Sequence, residues 1–156
     1  FYDEQFVENI LSLIEQYNVP PHLIKLEVTE SVELVDFSKA KEILSALKQH
    51  GIESSIDDFG VGFSSLSYLQ QLPFREIKID RSFINEMDKP EMYAVVQTII
   101  HLAASLQMNA VAEGIETAQQ FENLRKMGCS TGQGYYFYKP LALSEAANLV
   151  NQTYTF

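Results

Sequence analysis

Five short runs rich in apolar and β-branched residues alternate with amphipathic stripes, and that alternation constrains the fold more than any other feature of the chain. The runs occupy 23–30, 52–57, 76–80, 109–113 and 133–137, each too short for a stable isolated helix, and the spacing predicts strands. Between and around them, apolar residues recur at three and four. Val7, Ile10, Leu11 and Ile14 give a helix over 3–17 that Pro20-Pro21 stops. Ala40, Ile43, Leu44 and Leu47 give one over 36–50, with Asp36 or Ser38 as N-cap and Gly51 beyond its end. A short helix is expected over 64–72, before Pro73. The longest runs from Pro90 to 107, a capping box at Thr117 and Gln120 opens another that stops at Gly128, and a last one spans 144–152. Strand and helix in strict alternation predict a parallel sheet with crossover helices.

Polar residues sit on the strands or at their C-terminal ends: Glu27, Asp57 with Asp58, Lys78, Glu113 and Gln133. In barrels and open α/β sheets the strand C-termini converge on the ligand site, so these five places are expected to form one constellation. An Asp-Asp pair before a glycine is ordinary turn chemistry by itself; four further polar strand ends are what raise it to a candidate site. Gly60-Val61-Gly62 is no dinucleotide fingerprint, because Ser65 holds the third glycine position and the preceding carboxylates repel a pyrophosphate. A receiver domain also has five βα units, an acidic pair and a lysine. There, however, the pair follows the first strand and the lysine the last, whereas here they follow the second and third.

Among 156 residues, 21 acidic against 11 basic side chains leave a formal charge of -10, which excludes backbone-driven binding to DNA or RNA polymers and makes a small phosphate ligand dependent on metal. The single cysteine, Cys129, excludes an internal disulfide and suits a reducing compartment. No apolar run reaches the ~18–20 residues of a membrane span, so no membrane contact is expected from this segment. The opening Phe-Tyr-Asp-Glu-Gln-Phe has neither an initiator Met nor a signal-peptide start, and reads as the interior of a longer chain. His22, His50 and His101 lack metal-binding spacing and are read as structural.

Taken together, Leu26-Glu27-Val28-Thr29-Glu30-Ser31, the stretch from Asp57-Asp58-Phe59-Gly60 to Leu66, Lys78-Ile79-Asp80-Arg81-Ser82-Phe83, Ala112-Glu113-Gly114-Ile115-Glu116-Thr117 and Gln133-Gly134-Tyr135 closely resemble the EAL domain family. Members of that family are phosphodiesterases that open cyclic di-GMP. The resemblance implies an α/β fold, the TIM-type (β/α)8 barrel of the EAL type. Residues 1–156 would form the C-terminal part of a single EAL domain, the last five strands with their helices. The first three strands would lie outside this sequence, along with the Glu-Ala-Leu motif and an Asn-x-Ser segment that each supply a metal ligand.

The resemblance further implies that Glu27, Asp57 and Asp58 hold two divalent cations, Mg2+ or Mn2+, around the scissile phosphate and its attacking water, yielding linear pGpG. Lys78 would orient that water and offset negative charge; a deprotonated lysine acting as base is the alternative. Glu113 and Gln133 would hold waters or metal, with Glu116 in support, and Glu30 would pin the loop after Asp58. Substrate contacts would fall to Asp80, Arg81, Tyr136, Phe137 and Pro140. For the aromatic residues the alternative is core and lid packing, and for Asp80 and Arg81 a surface ion pair. Implied partners are cyclic di-GMP, a second copy in a homodimer, and an upstream sensor or GGDEF domain. The implied location is the cytoplasm, free or as the cytoplasmic domain of a membrane-anchored protein. The rival function is a non-catalytic EAL-like receptor or interaction scaffold, and the fragment alone is expected to be inactive.

Overall fold

A computed structural model describes residues 1–3, 5–29, 36–62 and 66–149. The sheet has five strands, β1 (Lys25–Thr29), β2 (Glu53–Phe59), β3 (Glu76–Ile79), β4 (Asn109–Ala112) and β5 (Thr131–Gly132), ordered as in the chain and parallel throughout. Parallel neighbours require crossovers, and helices supply them: α2 (Phe37–Gln49), α3 (Leu66–Gln71), α4 (Arg81–Asn85) with α5 (Pro90–Ser105), and α6 (Ala118–Lys126). Before β1 lies α1 (Phe6–Gln16), and after β5 lies α7 (Leu143–Ala146). The α/β character and the parallel sheet expected from the sequence are present.

Caps explain where several helices start. Asp36 accepts from the Lys39 N–H at 2.9 Å, which makes it, rather than Ser38, the N-cap of α2. Thr117 and Gln120 close the capping box that opens α6. The core lies between sheet and helices: Ile77, Ile79, Ile84, Val96, Ala103, Ala112, Ile115 and Leu124 are wholly buried. Ile43, Leu47 and Ile52 form a second cluster under α1. Among the described residues no helix is long and apolar enough to cross a membrane.

Three expectations need correction. The last strand is Thr131–Gly132, not 133–137: the Tyr136 N–H turns back to the Ile115 carbonyl at 2.8 Å, and residues 135–137 form a turn. Their enrichment in aromatics mimics a strand, but the rings serve packing. Tyr136 stacks on Phe121 with centroids 5.5 Å apart, and Phe137 meets the same ring edge-on at 5.8 Å. Second, β2 runs on through Asp58 and Phe59, with a register shift between Ile56 and Phe59 where it pairs with β3. Third, α4 follows β3 directly, five residues being too short for a periodic signal. The helix expected over 144–152 spans only Leu143–Ala146, residues 147–149 form a turn, and the part expected past 149 lies outside the described residues.

Candidate active site

Alternation along each strand sends every second side chain to one face, and the pairing register brings four of these faces together. Lys78 on β3 is the centre. Its ammonium lies 2.9 Å from Glu27 Oε1 on β1, 2.8 Å from Asp57 Oδ1 on β2 and 2.8 Å from Glu113 Oε1 just past β4. Gln133, directly after β5, donates through Nε2 to the same Glu113 oxygen at 2.7 Å. The five places singled out along the sequence thus converge on one site.

Only 8% of the Lys78 side chain is exposed. Burial pulls its proton affinity down, but the hydrogen bonds to Asp57, Glu113 and Glu27 outweigh burial and raise it well above the ordinary lysine value. Lys78 is therefore an ammonium, a fixed cation and donor. For Glu113, burial and the nearby Asp57 and Glu27 charges raise the pKa against the opposing pull of Lys78. Asp58 is raised by burial and then by its neighbours Asp57 and Asp80, partly offset by Lys78 and Arg81.

Asp58 has a left-handed backbone, φ 54°, at the irregularity in β2, and its N–H donates to Asp57 Oδ1 at 3.1 Å. Asp and Asn accept this conformation more readily than other residues with a Cβ. Its consequence is that adjacent residues, which in a regular strand point to opposite faces, both reach the site. One carboxylate oxygen each from Asp57, Asp58 and Glu113 lies within 4.8 Å of the others. Three hard oxygen donors at that spacing fit a divalent cation such as Mg2+ or Mn2+. Glu27 is not part of that trio, though it shares Lys78 with two of its members; Glu113, read from the sequence as a water or metal holder, is inside it.

Beside this centre opens a cleft of about 440 Å³, bordered by Arg81, Glu116, Gln133, Tyr135, Lys139 and Pro140 among others. Asp80 instead caps α4, accepting from the Ser82 N–H at 2.9 Å and from its hydroxyl. Burial works against it, yet those hydrogen bonds and the Arg81 charge hold its carboxyl below the usual range. Tyr136 and Phe137 belong to the aromatic cluster around Phe121 and do not line the cleft. Tyr138 and Lys139 do line it and were not singled out by sequence reasoning; the Lys139 ammonium stands over the Tyr135 ring at 5.8 Å. Glu30 lies outside the described residues, as do residues 63–65 of the loop after Asp58.

The profile of the EAL domain matches residues 1–140. The bifunctional diguanylate cyclase/cyclic di-GMP phosphodiesterase MucR of Pseudomonas aeruginosa is 40% identical over 136 residues, covering 86% of this chain and 20% of that protein. From the same organism, the cyclic di-GMP phosphodiesterase RocR is 37% identical over 135 residues, 86% of this chain and 34% of that protein. Among solved structures, the EAL enzyme Bd1971 in its cAMP- and cyclic di-GMP-bound form superposes with a TM-score of 0.91 at 40% identity, over 96% of this chain and 40% of that one. The chain spans about a fifth of the length of the first curated relatives it matches, between 18% and 21%. With the profile matched over nearly its whole length, and the five motifs gathered on one sheet end, the chain belongs to the EAL domain family.

Proposed function

We propose that residues 1–156 form the C-terminal part of an EAL domain that hydrolyses cyclic di-GMP to linear pGpG in bacterial second-messenger signalling. The observation that carries this reading is the single ammonium of Lys78 bound to carboxylates from three strands, with a trio of carboxylate oxygens beside it. Relatives whose names specify cyclic di-GMP phosphodiesterases, and a neighbour with cyclic di-GMP bound, support the substrate.

In this reading Asp57, Asp58 and Glu113, with Glu27, would hold two divalent cations. When bound, such cations would supply Lewis acidity to the scissile phosphate and lower the pKa of an attacking water. Lys78, as the ammonium, would orient the attacking water by hydrogen bonding and offset charge developing on the phosphate oxygens. Gln133 holds Glu113 in place, and Glu116 stands at the cleft rim. Arg81, at the same rim, meets a phosphate or a guanine edge, and Pro140 also borders the cleft. Asp80 presents Arg81 by capping its helix, and Tyr136 and Phe137 pack against Phe121 rather than meeting substrate. Glu30 fits the role of pinning the loop after Asp58.

The strands not represented here, with the Glu-Ala-Leu glutamate, belong to the rest of the barrel; that β1 and β5 are each paired on one side among the described residues supports this. A homodimer, and an upstream sensor or diguanylate-cyclase domain as in the name of MucR, complete the proposed assembly, acting in the cytoplasm. The test is chromatographic detection of pGpG from cyclic di-GMP by the full-length protein with Mg2+ and then Mn2+, beside Asp57→Asn. Turnover that falls at least about 100-fold in the variant supports the mechanism. Tight binding without turnover would replace it with a receptor.

A further inference from the structure

We propose that Gln120 is a positioning residue for substrate: its side-chain amide bolts the loop that carries Glu113 and Glu116 to the helix that carries Arg81, and so sets where Arg81 stands relative to those two carboxylates in the cleft. The inference rests on the function proposed above. Gln120 belongs to the capping box of α6, and helix capping alone would leave its Nε2 without a specific task. Its Oε1 accepts from the N–H groups of Glu116 at 2.8 Å and Thr117 at 3.0 Å. Two backbone donors aimed at one atom fix which end of the amide is oxygen, so the other end must donate. That donor, Nε2, reaches the carbonyl of Ile84, 36 residues away in the last turn of α4, at 3.1 Å.

A second contact joins the same two segments. A Cβ on Gly114 would lie 2.6 Å from the Cβ of Arg81, so the bare glycine lets the loop seat directly against the first residue of α4. The loop and α4 are thereby held at both ends, at Gly114 with Arg81 and at Gln120 with Ile84. Arg81, Glu113 and Glu116 all line the cleft, together with several residues between Gln133 and Pro140. Glu113 has its own anchors in Lys78 and Gln133. Ile115 holds the middle of the loop to residues 133–136, its N–H donating to the Gln133 carbonyl at 3.1 Å and its carbonyl accepting from the Tyr136 N–H at 2.8 Å, so loosening the bolt leaves the lysine cluster intact and shifts Arg81 relative to Glu116.

Gln120→Glu separates the two roles. A glutamate keeps an acceptor for the Glu116 and Thr117 N–H groups, as capping boxes accept either residue, but puts a carboxylate oxygen where the donor to Ile84 stood. In the full-length protein, this variant is expected to raise KM for cyclic di-GMP about tenfold, the loss of one part-buried hydrogen bond, with kcat within about twofold. Amide exchange over residues 81–87, which needs no turnover, is expected to quicken about tenfold, while the melting temperature stays within a few degrees. Gln120→Met, losing cap and bolt together, should show the same KM effect plus a lower melting temperature. An unchanged KM in Gln120→Glu, with or without a drop in stability, overturns the inference and leaves a helix cap only. If the wild type fails to turn over cyclic di-GMP, the proposed function falls instead. The exchange measurement then decides the bolt: unchanged exchange over 81–87 refutes it.

Discussion

Lys78 balances charge at the site: one ammonium faces three carboxylates, so the described centre carries a net negative charge that a divalent cation would offset. Glu27, Asp57, Lys78, Glu113 and Gln133 were legible in the sequence as polar residues on apolar strand runs or directly at their ends, and parallel topology turns such positions toward one site. The double use of Asp57 and Asp58 was not derivable from alternation, since it depends on the left-handed backbone at Asp58. Nor was the capping role of Asp80 legible, because sequence shows the Asp-x-Ser spacing without the short helix it starts. That role has a pH signature. The folded Asp80 carboxyl titrates below its ordinary value, so its contribution to stability is complete above the unfolded value of about 4 and disappears as pH falls through the folded one. Urea unfolding should therefore find Asp80→Ala less stable than wild type by about 1 kcal/mol at pH 7, with the gap narrowing below about pH 4. An equal gap at pH 7 and pH 3 would show that the charge on Asp80 takes no part.

At the level of elements, four of the five strands were readable from β-branched runs and the fifth was not. Residues 133–137 have the composition of a strand, but Gly134 lies so close to the backbone of Ile115 that a Cβ there would overlap its nitrogen and carbonyl. The chain turns at that contact, placing Gln133 beside Glu113 and sending Tyr136 and Phe137 onto Phe121. Sequence shows a glycine; it does not show which backbone the glycine must touch. Gly134→Ala is expected to cost about 3 kcal/mol in denaturant unfolding, because backbone rather than a flexible side chain must yield. It should also lower turnover through the displaced Gln133. Full stability in that variant would mean that the turn after β5 shifts freely.

For the whole molecule, strands β1 and β5 each have a partner on one side only among the described residues, leaving backbone donors and acceptors on two edges of a twisted parallel sheet. Expressed alone, the 156-residue chain should associate in sedimentation velocity runs as concentration rises, and a stable monomer at all concentrations would contradict this reading of the edges. The parallel architecture was legible because strand and helix alternate without exception; which residues line the cleft was not, since Tyr138 and Lys139 come from a loop with no periodicity. The strand order, 1-2-3-4-5, has one further consequence. Each strand docks beside the one made just before it, so a chain leaving the ribosome extends the sheet in the order of translation. The site, however, draws on all five strands or the residues that directly follow them, so Lys78 meets Glu113 only once β4 is in place, and Glu113 meets Gln133 only after β5. Until β5 is made, a growing chain holds an incomplete and unevenly charged set of groups, so whatever chemistry the cluster performs is withheld from unfinished copies.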